Sequence, residues 1–326
     1  MFHTINLKNL ILCILIFSFS VFIIFCSKSN TSPVSATPDT RPKDGLQFNA
    51  SSEALIKAMQ LDIKTECDDY PVAWTDVVAY LACIYDNDFS HFSSADIDAL
   101  AALVEKGKTV DEICDKYKYF TLYKSFYEAC LGGLVGDYTH YDDAGNKTHK
   151  YGLKAFCPIA LPYSYNSYDD FGAPRTYGYS RPHLGCDLIG AMGTPIVAIE
   201  EGTVEAIGWN EYGGWRIGIR SNDKKRYYYY AHLQKDRPYA APFKVGDKID
   251  AGTHIGYMGK TGYSKEENVE GIETPHLHLG VQIAFKQNDG KEDMWIDVFE
   301  IVKFLRSNRI DVTDQMKSGI LEANEL

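Results

Sequence analysis

Hydrophobic and polar positions change rhythm several times along this chain. Residues 10–26 are an apolar run without charge, and residues 27–45 are rich in Ser, Thr, Pro and Asp. From about 51 to 138, apolar positions recur every three or four residues, the period of an amphipathic helix. A first helix starts at Ser52 behind a serine cap. A second covers 74–85, with Trp74, Val77, Val78, Leu81, Ala82 and Tyr85 in one stripe. Ser93 or Ser94 caps a third that carries Ile97, Leu100, Ala101 and Val104. Thr109-Val110-Asp111-Glu112 has the spacing of a capping box and opens a fourth. Residues 120–131 make a fifth. Beyond 188 the pattern switches to short alternating runs separated by glycines, at 196–199, 203–207, 215–219, 226–233 and 277–283. That is the signature of strands. A helix over 296–306 and a polar tail after Val312 close the chain.

This succession predicts a multidomain protein. Its parts are a membrane segment over 1–27, a flexible linker over 28–46 and a small all-α accessory domain over 47–140. A linker and lead-in follow over 141–176, with a turn signal at residues 142–146. An all-β domain built on an antiparallel sheet covers 177–306, and a tail covers 307–326. The 17 uncharged residues of 10–26 reach the lower limit for spanning a bilayer. They exceed the ~7–15 residues of an ordinary signal-peptide core. The expectation is an uncleaved single-pass anchor in the cell membrane. The alternative is a signal peptide cleaved near Val34-Ser35-Ala36. Bulky Phe25 before Cys26 does not suit a lipidation site. Both readings put the remainder outside the cytoplasm.

The formal net charge of −11 over 326 residues removes nucleic acid from the expected partners. It also makes residues 93–118 a helical bundle rather than a DNA-reading motif. No catalytic carboxylate pair stands out in the helical part, which reads as a spacer, wall-binding or regulatory module. Of eight cysteines, six lie outside the apolar run, and their 15 possible pairings stay open. Cys186 is expected to pack rather than to bind metal.

The candidate chemistry lies in two clusters, His183-Leu184-Gly185-Cys186-Asp187 and His276-Leu277-His278. In extended chain, residues i, i+2 and i+4 share a face, so His183 can align with Asp187 and His276 with His278. Two imidazoles and one carboxylate suit a single Zn²⁺ per chain and leave a fourth position open for water.

Around these clusters stand further blocks in order. They are Arg181-Pro182, Gly193-Thr194-Pro195-Ile196-Val197-Ala198, Gly202-Thr203-Val204, Tyr230-Ala231-His232-Leu233 and Val245-Gly246-Asp247. Ala251-Gly252, then Ile255-Gly256-Tyr257-Met258-Gly259-Lys260-Thr261-Gly262, and Pro275 before the second cluster complete the series. From about 181 to 282 the chain resembles the lysostaphin-type zinc endopeptidases that cleave peptidoglycan cross-links. The resemblance implies an antiparallel β-sheet with a groove over the metal. It implies His183, Asp187 and His278 as zinc ligands, and His232 and His276 as the catalytic pair that orients water and moves its proton. It also implies attack of zinc-bound water on an amide without a covalent intermediate. Arg181 matches the family and is expected to orient Asp187 or substrate, and Tyr177 to line the site.

The implied partners are peptidoglycan stems and cross-bridges and the membrane, with division, sporulation or conjugation machinery as candidates. The alternatives are an inactive wall-binding adaptor of the same fold, or an endopeptidase acting on protein. His3, His91, His140, His149 and His254 match no motif position. Two departures stand out. Leu279 and Gly280 replace the family's usual aromatic and Glu. The loop 264–274 is longer and more acidic than usual, and it reads either as a selector of the peptide bridge or as a solvated insertion.

Overall fold

The computed structural model describes residues 45–141, 146–285 and 293–313. The apolar run, and with it the expected anchor, lies outside the described residues, as does most of the tail. Among the described residues, no helix is long and apolar enough to cross a membrane.

Five helices form where the periodicity places them. In α1 (Ser52–Thr65) the Ser51 hydroxyl accepts the Ala54 N–H at 3.3 Å. α2 (Trp74–Ile84) follows, and Ser93 caps α3 (Ser94–Val104). Thr109 and Glu112 form a reciprocal capping box on α4 (Val110–Cys114), and α5 (Phe120–Leu131) completes the set. Such caps give partners to first-turn amides that the helix cannot satisfy. The expected break near residue 140 instead falls in a hairpin of β2 (Val135–Tyr141) and β3 (Lys147–Leu153).

The lead-in is likewise part of the folded body. Ala155, Cys157, Ile159 and Ala160 are fully buried, and Ala160 joins a cluster with Val197 and Val312. No period marks these positions, because a single pass through a core needs none.

The remaining strands are β4 (Tyr165–Ser167), β5 (Pro174–Arg175), β6 (Arg181–Pro182), β7 (Cys186–Gly190), β8 (Pro195–Val197), β9 (Gly202–Asn210), β10 (Gly214–Ser221) and β11 (Arg226–Ala231). After them come β12 (Lys248–Ile249), β13 (His254–Tyr257), β14 (His276–Ile283) and β15 (Met294–Ile296). With β1 (Gly45–Leu46), the main sheet runs β1-β15-β14-β11-β10-β9-β12, while β7 also pairs with β14 and β4 with β7. The sheet is mixed rather than purely antiparallel, because β1 pairs in parallel with β15. Thus Gly45 and Leu46, expected at the end of the flexible linker, form an edge strand. Two residues are too few to display an alternation that could announce a strand.

Alternation along the central strands sorts the two faces. Leu277, Leu279, Val281 and Ile283 of β14 are buried with Ile217, Ile219, Tyr228 and Tyr230. The helices cover this face. Phe126 of α5 meets Phe285 at 5.4 Å, and Trp74 of α2 meets Phe304 of α6 (Phe299–Leu305) at 5.5 Å. Arg226, fully buried, donates to the Ala129 carbonyl at the end of α5 and to both carboxylate oxygens of Glu200. The opposite face carries His276, His278, Tyr227 and Tyr229. Helices and sheet therefore share one core, and the polar face of the sheet is left for chemistry.

A candidate metal centre in an open groove

β14 lies between β7 and β11, and this order assembles the site. Asp187 of β7 is the register partner of His278, whose neighbour on the other side is Ala231 of β11. His232 follows directly on that strand. Asp187 Oδ1 lies 3.1 Å from His278 Nδ1 and 3.0 Å from His183 Nε2, and the two ring nitrogens are 2.8 Å apart. His183, Asp187 and His278 are the group among the described residues able to hold a metal ion.

His183 reaches this point differently from the expected strand alignment. It sits in the connection between β6 and β7, and Leu184-Gly185 bends the chain back. A Cβ on Gly185 would stand 2.6 Å from His278 Cε1, so the bend requires a residue without a side chain.

The donor set tests whether a cation fits. His183 Nδ1 is 3.2 Å from the Asp170 carbonyl oxygen, which can only accept, so that nitrogen carries the proton. Its Nε2 lone pair then faces the His278 nitrogen and the Asp187 carboxylate. These acceptors need a positive centre between them. Ligands about 2.0–2.1 Å from a tetrahedral zinc stand ~3.3 Å from one another, close to the observed triangle. The residues fit the ion.

Burial would raise the Asp187 carboxyl, but hydrogen bonds to His183 and His278 outweigh it and hold the group well below the usual carboxylate range. Burial would lower His183, but Asp170 and Asp187 outweigh it and raise the imidazole to about 9. The two shifts have one cause: the carboxylates and the imidazole stabilise each other's charged forms.

His232 and His276 stand beside the triangle, their rings 4.8 Å apart. His232 Nδ1 is 2.9 Å from the Thr261 carbonyl and His276 Nδ1 is 2.8 Å from that of Thr274. Each Nδ1 must donate, which in the neutral ring leaves Nε2 as the acceptor facing the groove. Burial, with His276 and His278 adding to it, pushes His232 well below an ordinary imidazole. His232 also has a φ of +61°, a costly conformation for a residue with a Cβ. Its backbone N–H is held by Gly213 O at 2.8 Å.

Arg175, which the sequence did not single out, takes the place expected of Arg181. Its Nη2 donates to Asp187 Oδ2 at 3.0 Å and to Asp170 Oδ2 at 2.6 Å. Asp187 can thereby turn Oδ1 to the histidines, and Asp170 fixes His183. Arg175 and Asp170 lie in the weakly patterned lead-in, where nothing but three-dimensional proximity marks them. Arg181 instead donates to the Tyr177 carbonyl at 2.6 Å. Tyr177 stacks on Tyr263 at 4.6 Å, behind the groove lining rather than in it.

The groove, about 670 Å³, is lined by the two metal-side histidines, Asp187, His232 and His276, with Tyr212, Tyr227, Tyr229, Tyr263 and Trp295 around them. Gly280 makes room for Trp295, whose Cζ3 would lie 2.7 Å from an added Cβ. That accounts for a glycine where a larger residue was expected. The long loop is tied into the site, because Thr274 positions His276 and Asn268 accepts the Trp215 indole N–H at 2.9 Å. Cys186 is buried and packs, as expected, and all six described cysteines are free thiols.

Residues 181–291 match peptidase family M23. The L-Ala–D-Glu endopeptidase of Bacillus subtilis is 38% identical over 135 residues, 41% of this chain and 38% of that protein. Lysostaphin of Staphylococcus simulans is 37% identical over 112 residues, 34% of this chain and 20% of lysostaphin. The chain thus spans well under half the length of these curated relatives. The crystal structure of a lytM protein from Ruminococcus gnavus matches 81% of this chain and 90% of its own. At a TM-score of 0.54 and 22% identity, it shares the fold.

Proposed function

We propose that the chain is a zinc metalloendopeptidase that hydrolyses peptide bonds of peptidoglycan. One observation carries the reading: a His-Asp-His triangle suited to zinc opens into a groove beside two imidazoles with free Nε2 atoms. His183, Asp187 and His278 would hold the ion. Bound zinc would polarise the scissile carbonyl and acidify water at neutral pH. His232, kept neutral by burial, is suited to accept a proton, and His276, once its Nε2 is protonated, to hold the developing oxyanion or pass that proton to the leaving amine. Arg175 holds Asp187 in place. The apolar run at 10–26 supports an anchor that keeps the groove outside the membrane, where the wall lies. The family match and the endopeptidase names of the relatives support the substrate class.

The test is digestion of purified peptidoglycan by the zinc-loaded protein, with released fragments read by mass spectrometry. New peptide termini that vanish on chelation and return with zinc are expected. Intact wall with cleavage of a protein substrate would transfer the reading to a general protease, and binding without any cleavage would make the chain an adaptor.

A further inference from the structure

We propose that Arg181 and the tyrosines around it form a carboxylate-binding subsite. The substrate peptide then bears an internal free carboxylate within a few residues of the amide that is cut. This rests on the peptidase reading above and narrows its substrate.

Two arginines line the groove, and their surroundings differ. Arg175 is neutralised by Asp170 and Asp187. Arg181 has no carboxylate partner among the described residues, and its one hydrogen bond there goes to a main-chain carbonyl. Its guanidinium carbon lies 4.5 Å from the Tyr212 ring centroid and 5.7 Å from those of Tyr179 and Tyr263. The aromatic faces hold the cation without cancelling its charge. A guanidinium carries five N–H donors in a rigid fork, so most remain for a ligand, and the fork matches a carboxylate.

The holder is built, not incidental. Gly178 has a φ of +75°, and this left-handed step folds Tyr177 and Tyr179 back so that both reach Tyr212. The Tyr177 carbonyl accepts both the Tyr179 N–H at 2.9 Å and Arg181 Nη1 at 2.6 Å. Tyr177 also stacks on Tyr263, the interplanar angle being 8°.

Tyr263 ties this cage to the reacting end, with its centroid 6.0 Å from the His232 ring. At ~3.3 Å per extended residue, a peptide needs only a few residues to reach from the hydrolytic centre to Arg181. The chain as a whole is acidic, at −11, and would repel an anionic peptide. A local cation with no carboxylate partner among the described residues is what lets the groove accept one.

The probes are two stem-like tetrapeptides with amidated C-termini that differ only in a free or amidated α-carboxylate on an isoglutamyl residue. With the zinc-loaded full chain, the free acid should be cleaved with kcat/KM about tenfold higher or more. Arg181→Gln should abolish that preference through a rise in KM that is larger for the free acid than for the amidated peptide, and Arg181→Lys should keep part of it. Equal cleavage of both peptides by the natural protein overturns the subsite, as does an equal loss on both in Arg181→Gln. If neither peptide is cleaved, calorimetric binding of the same pair decides. Tighter binding of the acid that is lost in Arg181→Gln upholds the subsite while the peptidase reading falls, and equal binding overturns the subsite.

Discussion

Asp187 and His278 face each other across the β7–β14 pair, 3.1 Å between Oδ1 and Nδ1, although 91 positions separate them. The sheet register fixes this pairing. A shift of one residue would turn His278 to the buried face and bring Leu277 or Leu279 into the groove. The Asp187–His278 half of the metal side is therefore as stable as the sheet itself, whereas His183 depends on the bend at Gly185.

Substitution of a triangle residue should remove the ion. His183→Ala and Asp187→Ala are expected to lose stoichiometric zinc, read by elemental analysis after dialysis, and activity with it. Arg175→Met acts at one remove, since it frees Asp187 Oδ2. It should weaken zinc affinity by about 10–100-fold in a chelator competition without abolishing it. Unchanged affinity would show that Asp187 is held by the strand alone.

The two imidazoles beside the triangle should separate binding from chemistry. His276→Ala and His232→Ala are expected to keep zinc and lose about 10²–10⁴-fold in kcat. Loss of zinc in either variant would move that histidine into the metal shell.

Gly185→Ala probes the bend that brings His183 home. The added methyl would meet His278 Cε1 and Nε2 and the Leu279 carbonyl at 2.6–2.8 Å. The variant should bind zinc much more weakly, and its thermal midpoint should fall. Titration with zinc and differential scanning calorimetry read the two effects separately.

Buried Asp297 gives a pH signature. Burial, with Asp169, Glu300 and Asp170 adding negative charge, raises its carboxyl to about 6. In the unfolded chain it would titrate near ~3.9. The folded state thus binds more protons between pH ~4 and 6, and this group makes stability fall as pH rises through that window. Asp297→Asn keeps an acceptor for the Phe299 N–H, now 2.9 Å from Oδ1, and removes the charge. It should stabilise the protein at pH 7 by roughly 1–3 kcal/mol, with the gain fading below pH 4. A pH series of urea midpoints checks this.

The ion pair beneath the sheet gives the last prediction. Glu200 accepts from Arg226 Nε and Nη2 at 2.8 and 3.0 Å, and Arg226 is fully buried against α5. Glu200→Gln would leave a buried guanidinium short of its main counter-charge, with Asp223 still at 2.6 Å. Loss of such a partner typically costs about 3–5 kcal/mol, and Asp223 should keep the loss at or below the low end. Chemical unfolding measures it.

Much of this protein could be read along its length. Helical spacing and caps such as Thr109-Glu112 are local, because a helix satisfies its own backbone and displays its buried stripe every three or four residues. The residues His183, Asp187, His232, His276 and His278 stood out because a metal site needs particular side chains in a particular order. What remained hidden depends on neighbours from elsewhere in the chain. The parallel pairing of Gly45-Leu46, the buried lead-in around Cys157 and the Arg175–Asp187 contact leave no periodic trace. Arg181, with no carboxylate partner among the described residues, could be told from the neutralised Arg175 only when their surroundings were in place. Residue type, which the sequence carries, set the chemistry available, whereas charge balance and reach arise from distances between segments, and folding alone brings those segments together.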